Sequence, residues 1–233
     1  MSQSHAKDLD LFLGSYAVNA YYRGSDITSD LDLDENATVF GMEDYAYFPG
    51  LIDGKLELDG VYESAYASIV AAYKQTTGEP VTIAVAGATL DAPAIMLLDK
   101  MASLKHSAAV GGMVLFSLTG QQSGGVDLGR ILHVGAETAA DEETSTDWTA
   151  STANGGAAYL HVTAWSGTDV TIRVEHSAND STWATLGTFT QTTGLSSQKL
   201  VIAEGTTVNR YLRAKWVTTG GFAATFTVGF ARR

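Results

Sequence analysis

The stretch GKLELDGVYESAYASIVAAYKQ, residues 54–75, changes its periodicity midway, and the rest of the chain is best read outward from it. In GKLELDG (54–60) charged and apolar residues alternate. Lys55, Glu57 and Asp59 share one face and Leu56 and Leu58 the other, the period of a half-buried strand. In VYESAYASIVAAYKQ (61–75) Tyr62, Tyr66, Ile69 and Tyr73 fall on one stripe at helical spacing. Glu63 in the first turn and Lys74 in the last suit the helix dipole. A strand followed by an amphipathic helix is therefore expected, the helix packing on a sheet.

Further strands are expected on both sides. VTIAVAG (81–87) alternates with Val81, Ile83 and Val85 inward, and GGMVLFSLTGQ (111–121) and GRILHV (129–134) read as two more. APAIMLLDKMASLKHSA (92–108) fits a helix or a buried strand equally. Beyond residue 148 nearly everything is strand and turn: 158–165, 170–178, 183–190, 198–203, 210–217 and 222–231, separated by groups such as SGTD, NDST and TTGG. Short strands at this spacing predict an antiparallel β-sandwich. The fold class is mainly β with one or two helices.

Composition divides the chain in the same place. All four tryptophans (Trp148, Trp165, Trp183, Trp216) follow residue 147, whereas eight of the ten tyrosines precede it. Residues 1–135 carry 17 acids and 7 bases, residues 136–144 four acids and no base, and residues 145–233 five acids and 7 bases. The expected organisation is a first domain over 1–135, an acidic linker over 136–147 and a β-sandwich over 148–233. The net charge of −12 runs against nucleic-acid binding, which rests on basic phosphate contacts. With no cysteine there are neither disulfides nor thiolate metal sites, and assembly in a reducing cytoplasm is permitted. No apolar run approaches the roughly 18 residues of a membrane helix, and the N-terminal stretch lacks the pattern of a secretory signal.

Chemical motifs are weak. Ser196-Ser-Gln-Lys199 matches SxxK but enters a strand, without the companion motifs of acyl-transfer enzymes. Asp30, Asp32 and Asp34 imitate the start of a calcium loop. The glycine and glutamate that such a loop needs are replaced by Glu35 and Gly41, so a solvated acidic loop is the expectation. His161 and His176 could face each other from adjacent strands, but no histidine pair has metal-site spacing. No catalytic residue and no cofactor is expected. Exposed tryptophans on a sandwich could stack on sugars, although Trp165, Trp183 and Trp216 lie in or beside strands and are expected in the core.

The run TVFGMEDYAYFPGLIDGKLELDGVYES (38–64) resembles the tail tube proteins of long-tailed, siphovirus-type bacteriophages, through Thr38, Phe40, Gly41, Tyr47, Pro49, Gly50, Leu51, Leu56, Leu58 and Gly60. VGGMVLFSLTGQQSGGVDLGRILH (110–133) is similar to the same family, including Gly129, Arg130, Leu132 and His133. The C-terminal run resembles the β-sandwich appended to many such proteins. The resemblance implies a half-barrel with a helix and a long hairpin. It also implies hexameric rings whose strands join into one barrel, stacking into a tube with tape-measure and terminator proteins as neighbours. DNA would pass without being held, in a virion tail assembled in the host cytoplasm. Asp30, Asp32, Asp34 and Glu35 become acids either of the lumen or of a loop touching the next ring. The C-terminal domain would decorate the outside, with weak glycan contact as one role. A capsid decoration protein and a carbohydrate-binding module stand as alternatives.

Overall fold

The structure, a computed structural model, describes residues 9–18, 22–34, 48–61, 78–108 and 114–233. Their regular structure is strand throughout. In chain order the strands are β1 (Asp10–Leu13), β2 (Tyr16–Ala17), β3 (Tyr22–Asp34), β4 (Phe48–Val61), β5 (Glu79–Ala84), β6 (Pro93–Ala108) and β7 (Val114–Glu137). They continue with β8 (Asp141–Glu142), β9 (Thr146–Asp147), β10 (Gly156–Gly167), β11 (Thr171–Ser177), β12 (Ala184–Thr188), β13 (Ser196–Ile202), β14 (Tyr211–Val217) and β15 (Phe222–Arg232). The helix expected over 61–75 lies, from residue 62 on, outside the described residues.

Two antiparallel sheets result. The larger runs β13-β10-β15-β7-β6-β5-β1-β2, with β4 paired to β7 and β3 to β4. The smaller runs β12-β11-β14-β8, with β9 also on β14. The C-terminal sandwich forms as the alternation predicts. Ile172, Val174, Leu212, Ala214 and Trp216 of the small sheet meet Leu160, Val162, Phe226, Val228 and Phe230 of the large one. The expected linker is used structurally, since β8 and β9 pair with β14. A second core gathers Leu11, Leu13, Leu56, Leu58, Val81, Ile83, Leu97, Phe116 and Leu118, which bears out the inward side of GKLELDG. Val85 is a correction. β5 ends at Ala84, and Val85 lies 37% exposed in the turn beyond it.

β6 and β7 organise everything else. The segment 92–108 is strand, and its apolar start (Ala94, Met96 and Leu97 buried) reflects coverage on both faces. The two strands expected over 111–121 and 129–134 are parts of one 24-residue strand. The first part of β7 pairs with β4 and the distal half of β6, and the last part with β15. Hydrogen bonding in the sheet therefore runs straight across the expected boundary at residue 135. A third core also mixes the segments: Ala84, Ala94, Met96 and Ile131 pack with Ala157, Tyr159 and Ala231. Between the layers, buried His161 on β10 meets Thr82 Oγ1 of β5 at 2.7 Å and the carbonyl of Gly14 at 2.7 Å. Burial pushes its ring down to about 4, so it stays neutral at ordinary pH.

The GRILH ending of the family-like run now has a physical account. A Cβ on Gly129 would stand 2.0 Å from the Phe230 carbonyl oxygen, so the β7–β15 crossing needs glycine. Arg130 lies over the Trp148 ring and pairs with Asp91. Leu132 enters the sandwich core, and His133 sits against Trp216 and Phe226 with Nδ1 2.9 Å from Glu143. Gly129→Ala is expected to cost about 2–3 kcal/mol in urea unfolding, because a backbone carbonyl cannot yield as a side chain can.

Candidate assembly surface

A four-stranded arm extends from the sandwich in the order β3-β4-β7-β6, made by β3 and β4, the first part of β7 and residues 100–108 of β6. All three pairings are antiparallel. β3 and β6 therefore run in opposite directions at the two edges. Among the described residues β3 has one strand neighbour, β4, and residues 101–108 of β6 have one, β7. Two long edges without a second strand neighbour among the described residues are what an isolated sheet normally avoids.

The arm has two unlike faces. Leu56, Leu58, Phe116, Leu118 and Met101 turn into the second core. The other face presents Lys55, Glu57 and Asp59 of β4, Ser117, Thr119 and Gln121 of β7, and Ser103 and Lys105 of β6, all at least partly exposed. It is polar and rich in small hydroxyls, with charges of both signs. In the ladder Asp26 stands opposite Glu57 and Asp30 opposite Asp53. A groove at the arm's end, about 520 Å³, is lined by residues including Asp59, Lys105, His106 and Phe116.

The acidic run expected as a loop is strand instead. Asp30, Asp32 and Asp34 belong to β3, which pairs with β4 back to Phe48. The alternation of DLDLD is a strand period, and the same spacing of acids imitates a calcium loop. β4 leaves β7 at Lys55, opposite Thr28, so residues 29–34 lie on a two-stranded extension reaching about 20 Å past the four-stranded part, at about 3.4 Å per residue. Glu35, Thr38, Phe40, Gly41 and Tyr47 lie outside the described residues. Pro49, Gly50 and Leu51 are in β4, and Gly60 is buried in it.

The other sequence candidates resolve structurally. His161 and His176 do not meet, since β10 and β11 belong to different sheets and His176 accepts from the Asn209 amide. Lys199 of the SxxK match pairs with Asp127 at 3.1 Å. The core expectation holds for Trp216 alone; Trp148 and Trp165 are half-buried against the core, and Trp183 is a partly exposed ring outside it. Trp216 is buried, Trp165 stacks on Phe222, Arg213 covers Trp183 at 4.2 Å, and Arg130 and Arg232 both lie over Trp148. Among the described residues no three His, Asp or Glu side chains are gathered as a metal site.

No protein-family model and no curated protein matches the chain. Solved structures show distant likenesses. A virion component of a native gene transfer agent particle is 11% identical, at TM-score 0.44, over 54% of this chain and 98% of that one. The SPP1 tail tube protein is 17% identical, at TM-score 0.39, over 52% of this chain and 77% of that one. SPP1 Dit, a hub protein of the adsorption apparatus of phages that infect Gram-positive hosts, is 9% identical, at TM-score 0.37, over 94% of this chain and 98% of that one. At these scores the likenesses assign nothing to this chain.

Proposed function

We propose that the chain is a structural, non-enzymatic tail protein of a phage-like particle, and that it polymerises through the β3-β4-β7-β6 arm into hexameric rings stacked as a tube. The arm's two edges carry the reading. Each has a single strand neighbour among the described residues, and they run in opposite directions. Head-to-tail joining of β6 in one copy to β3 in the next therefore continues the antiparallel alternation and satisfies both edges. Six copies would give a barrel of about 24 strands, about 45–50 Å between opposite backbones for strands about 4.8 Å apart tilted by about 40°. The apolar face is already covered, so the polar face would line the lumen. The family-like runs 38–64 and 110–133 include β4 and much of β7, two of the arm's strands.

The lumen would repel DNA through Glu57 and Asp59, over a Debye length of roughly 8–10 Å, with Asp26 opposite Glu57 in the ladder. Lys55 and Lys105 temper that field. Asp30, Asp32 and Asp34, on the projecting extension, are better placed to reach the next ring, a head-to-tail contact that propagates. The segment 148–233 would face outward as a decorating sandwich. Arginines over Trp148 and Trp183, Phe222 against Trp165 and the burial of Trp216 speak against glycan stacking. Negative-stain electron microscopy of the purified chain tests the proposal. Rings or tubes are expected, while a chain that stays monomeric or trimeric at high concentration overturns it in favour of a capsid decoration protein.

A further inference from the structure

The arm joins the sandwich through a neck, and the neck holds a buried carboxylate with no hydrogen-bond partner among the described residues. On β7 the residues Ser123, Gly124 and Gly125 stand opposite Leu98 alone, since the ladder steps from Leu97↔Val126 to Asp99↔Gln122. Gly124 and Gly125 take φ of +86° and +84°, a left-handed conformation that glycine adopts without strain. A second register shift on β6, between Met101 and Ser103, follows at once. The chain thus concentrates its irregularity where the arm leaves the core.

Asp99 sits within this neck, 0% exposed, and neither carboxylate oxygen has a hydrogen-bond partner among the described residues. Its carboxylate fills the space where a Cβ on Gly120 would lie, 1.7 Å from Oδ2. Gln122, directly opposite, is likewise unpartnered at both amide atoms, and its Oε1 occupies the space a Cβ on Gly54 would take. The charged groups around Asp99 do not neutralise it. On β5 its ladder neighbour is another acid, Glu79, bonded to Ser197 of β13. On β4 Lys55 pairs with Glu57 on the exposed face. On β6 Lys100 is exposed, on β7 residues 120–122 carry no charge, and Lys199 of β13 is committed to Asp127.

We propose that this neck is a proton-gated joint: with Asp99 protonated the β6–β7 crossing is closed and dry, and with Asp99 ionised it opens at the Gly124–Gly125 bulge to let water reach the carboxylate. Burial without a compensating charge supports the direction, pushing the carboxyl up to about 7. The sign follows from linkage. A carboxyl whose closed-state pKa is raised favours the closed state below its ordinary pKa, and that preference is lost as pH rises toward 7. Glu79, raised by burial against the opposing hydrogen bond from Ser197, works in the same direction, whereas His161 at about 4 completes most of its titration below this window. The joint is a property of the single chain and stands or falls independently of tube formation.

Amide hydrogen exchange on the full chain, corrected for intrinsic rates, tests it at pH 5 and pH 8. Amides of 97–101 and 120–126 are expected to lose at least about tenfold in protection on going to pH 8, while β10, β11 and β15 hold theirs. Asp99→Asn should abolish that loss and Glu79→Gln should leave it. An equal loss in Asp99→Asn, its disappearance in Glu79→Gln, or equal loosening of the sandwich overturns the joint. If Asp99→Asn does not fold, carboxyl NMR of the native chain decides. A midpoint near 7 supports the proposal, and one below 5 overturns it.

Discussion

Asp127→Ala is expected to lower the stability of the chain by about 2–4 kcal/mol, because it leaves the buried Tyr159 hydroxyl and the nearly buried Lys199 ammonium without their acceptor, the more exposed Arg233 adding little. Asp127 is 6% exposed near the middle of β7. It accepts from Tyr159 Oη of β10 at 2.6 Å, lies 3.1 Å from Lys199 Nζ of β13 and accepts from Arg233 Nε at 3.2 Å. Lys199 also lies over the Tyr159 ring, 5.0 Å from its centre. Three groups far apart in sequence are thus fastened at one carboxylate. Burial alone would push that carboxyl up. The Tyr159 hydrogen bond, and the charge and hydrogen bonds of Lys199 and Arg233, outweigh it and hold the carboxyl below its usual range. A depressed carboxyl contributes stability above its unfolded pKa, and that contribution is lost as pH falls below about 4. Chemical denaturation at pH 7 and pH 3 checks both statements. The gap between native chain and variant should be wide at pH 7 and should narrow at pH 3, and a gap under about 1 kcal/mol at pH 7 would show the cluster to be ornamental.

The clasp was invisible in the sequence, and the reason is geometric. Asp127 lies in a run with no motif, and Lys199 belongs only to a chance SxxK match. Their meeting depends on β10 pairing with β13 on one side and β15 on the other, a register that alternation does not encode. What alternation does encode was legible. The strands from residue 156 onward fall where apolar and polar residues trade places between turn-forming groups, because each strand has one face in the sandwich core. β6 was ambiguous for the opposite reason. Its first residues are covered on both faces, so the run is continuously apolar and its period is lost. The expected strands 111–121 and 129–134 join into one because Gly124 and Gly125 form a bulge that the strand passes through. For the candidate surface, GKLELDG encodes the inward and outward sides of β4, whereas the closely spaced acids of DLDLD mask a strand alternation. Edge status was out of reach, since it depends on which strands stay away.

Ending the chain at residue 140 is expected to abolish cooperative folding of the remainder, not merely to strip a decoration from the tube. The truncation leaves β5, β6 and β7 intact in sequence but removes what they lie against. β7 loses β15, with which residues 129–137 are paired. Ala84, Ala94, Met96 and Ile131, all at most 3% exposed, lose the Ala157, Tyr159 and Ala231 side of their core. Thr82 and the Gly14 carbonyl lose the His161 ring that bridges them, and Asp127 and Glu79 lose Lys199 and Ser197. Each buried polar group left without a partner costs about 1–3 kcal/mol, and native stability totals only about 5–15 kcal/mol. The two segments can divide the work of building and covering a tube and still fold as one. Circular dichroism melting of residues 1–140 distinguishes the cases. A broad, non-cooperative melt is the expected outcome. A sharp transition, together with tubes in the electron microscope, would mean that the first segment closes its own core and that the shared sheet is a junction between independent domains.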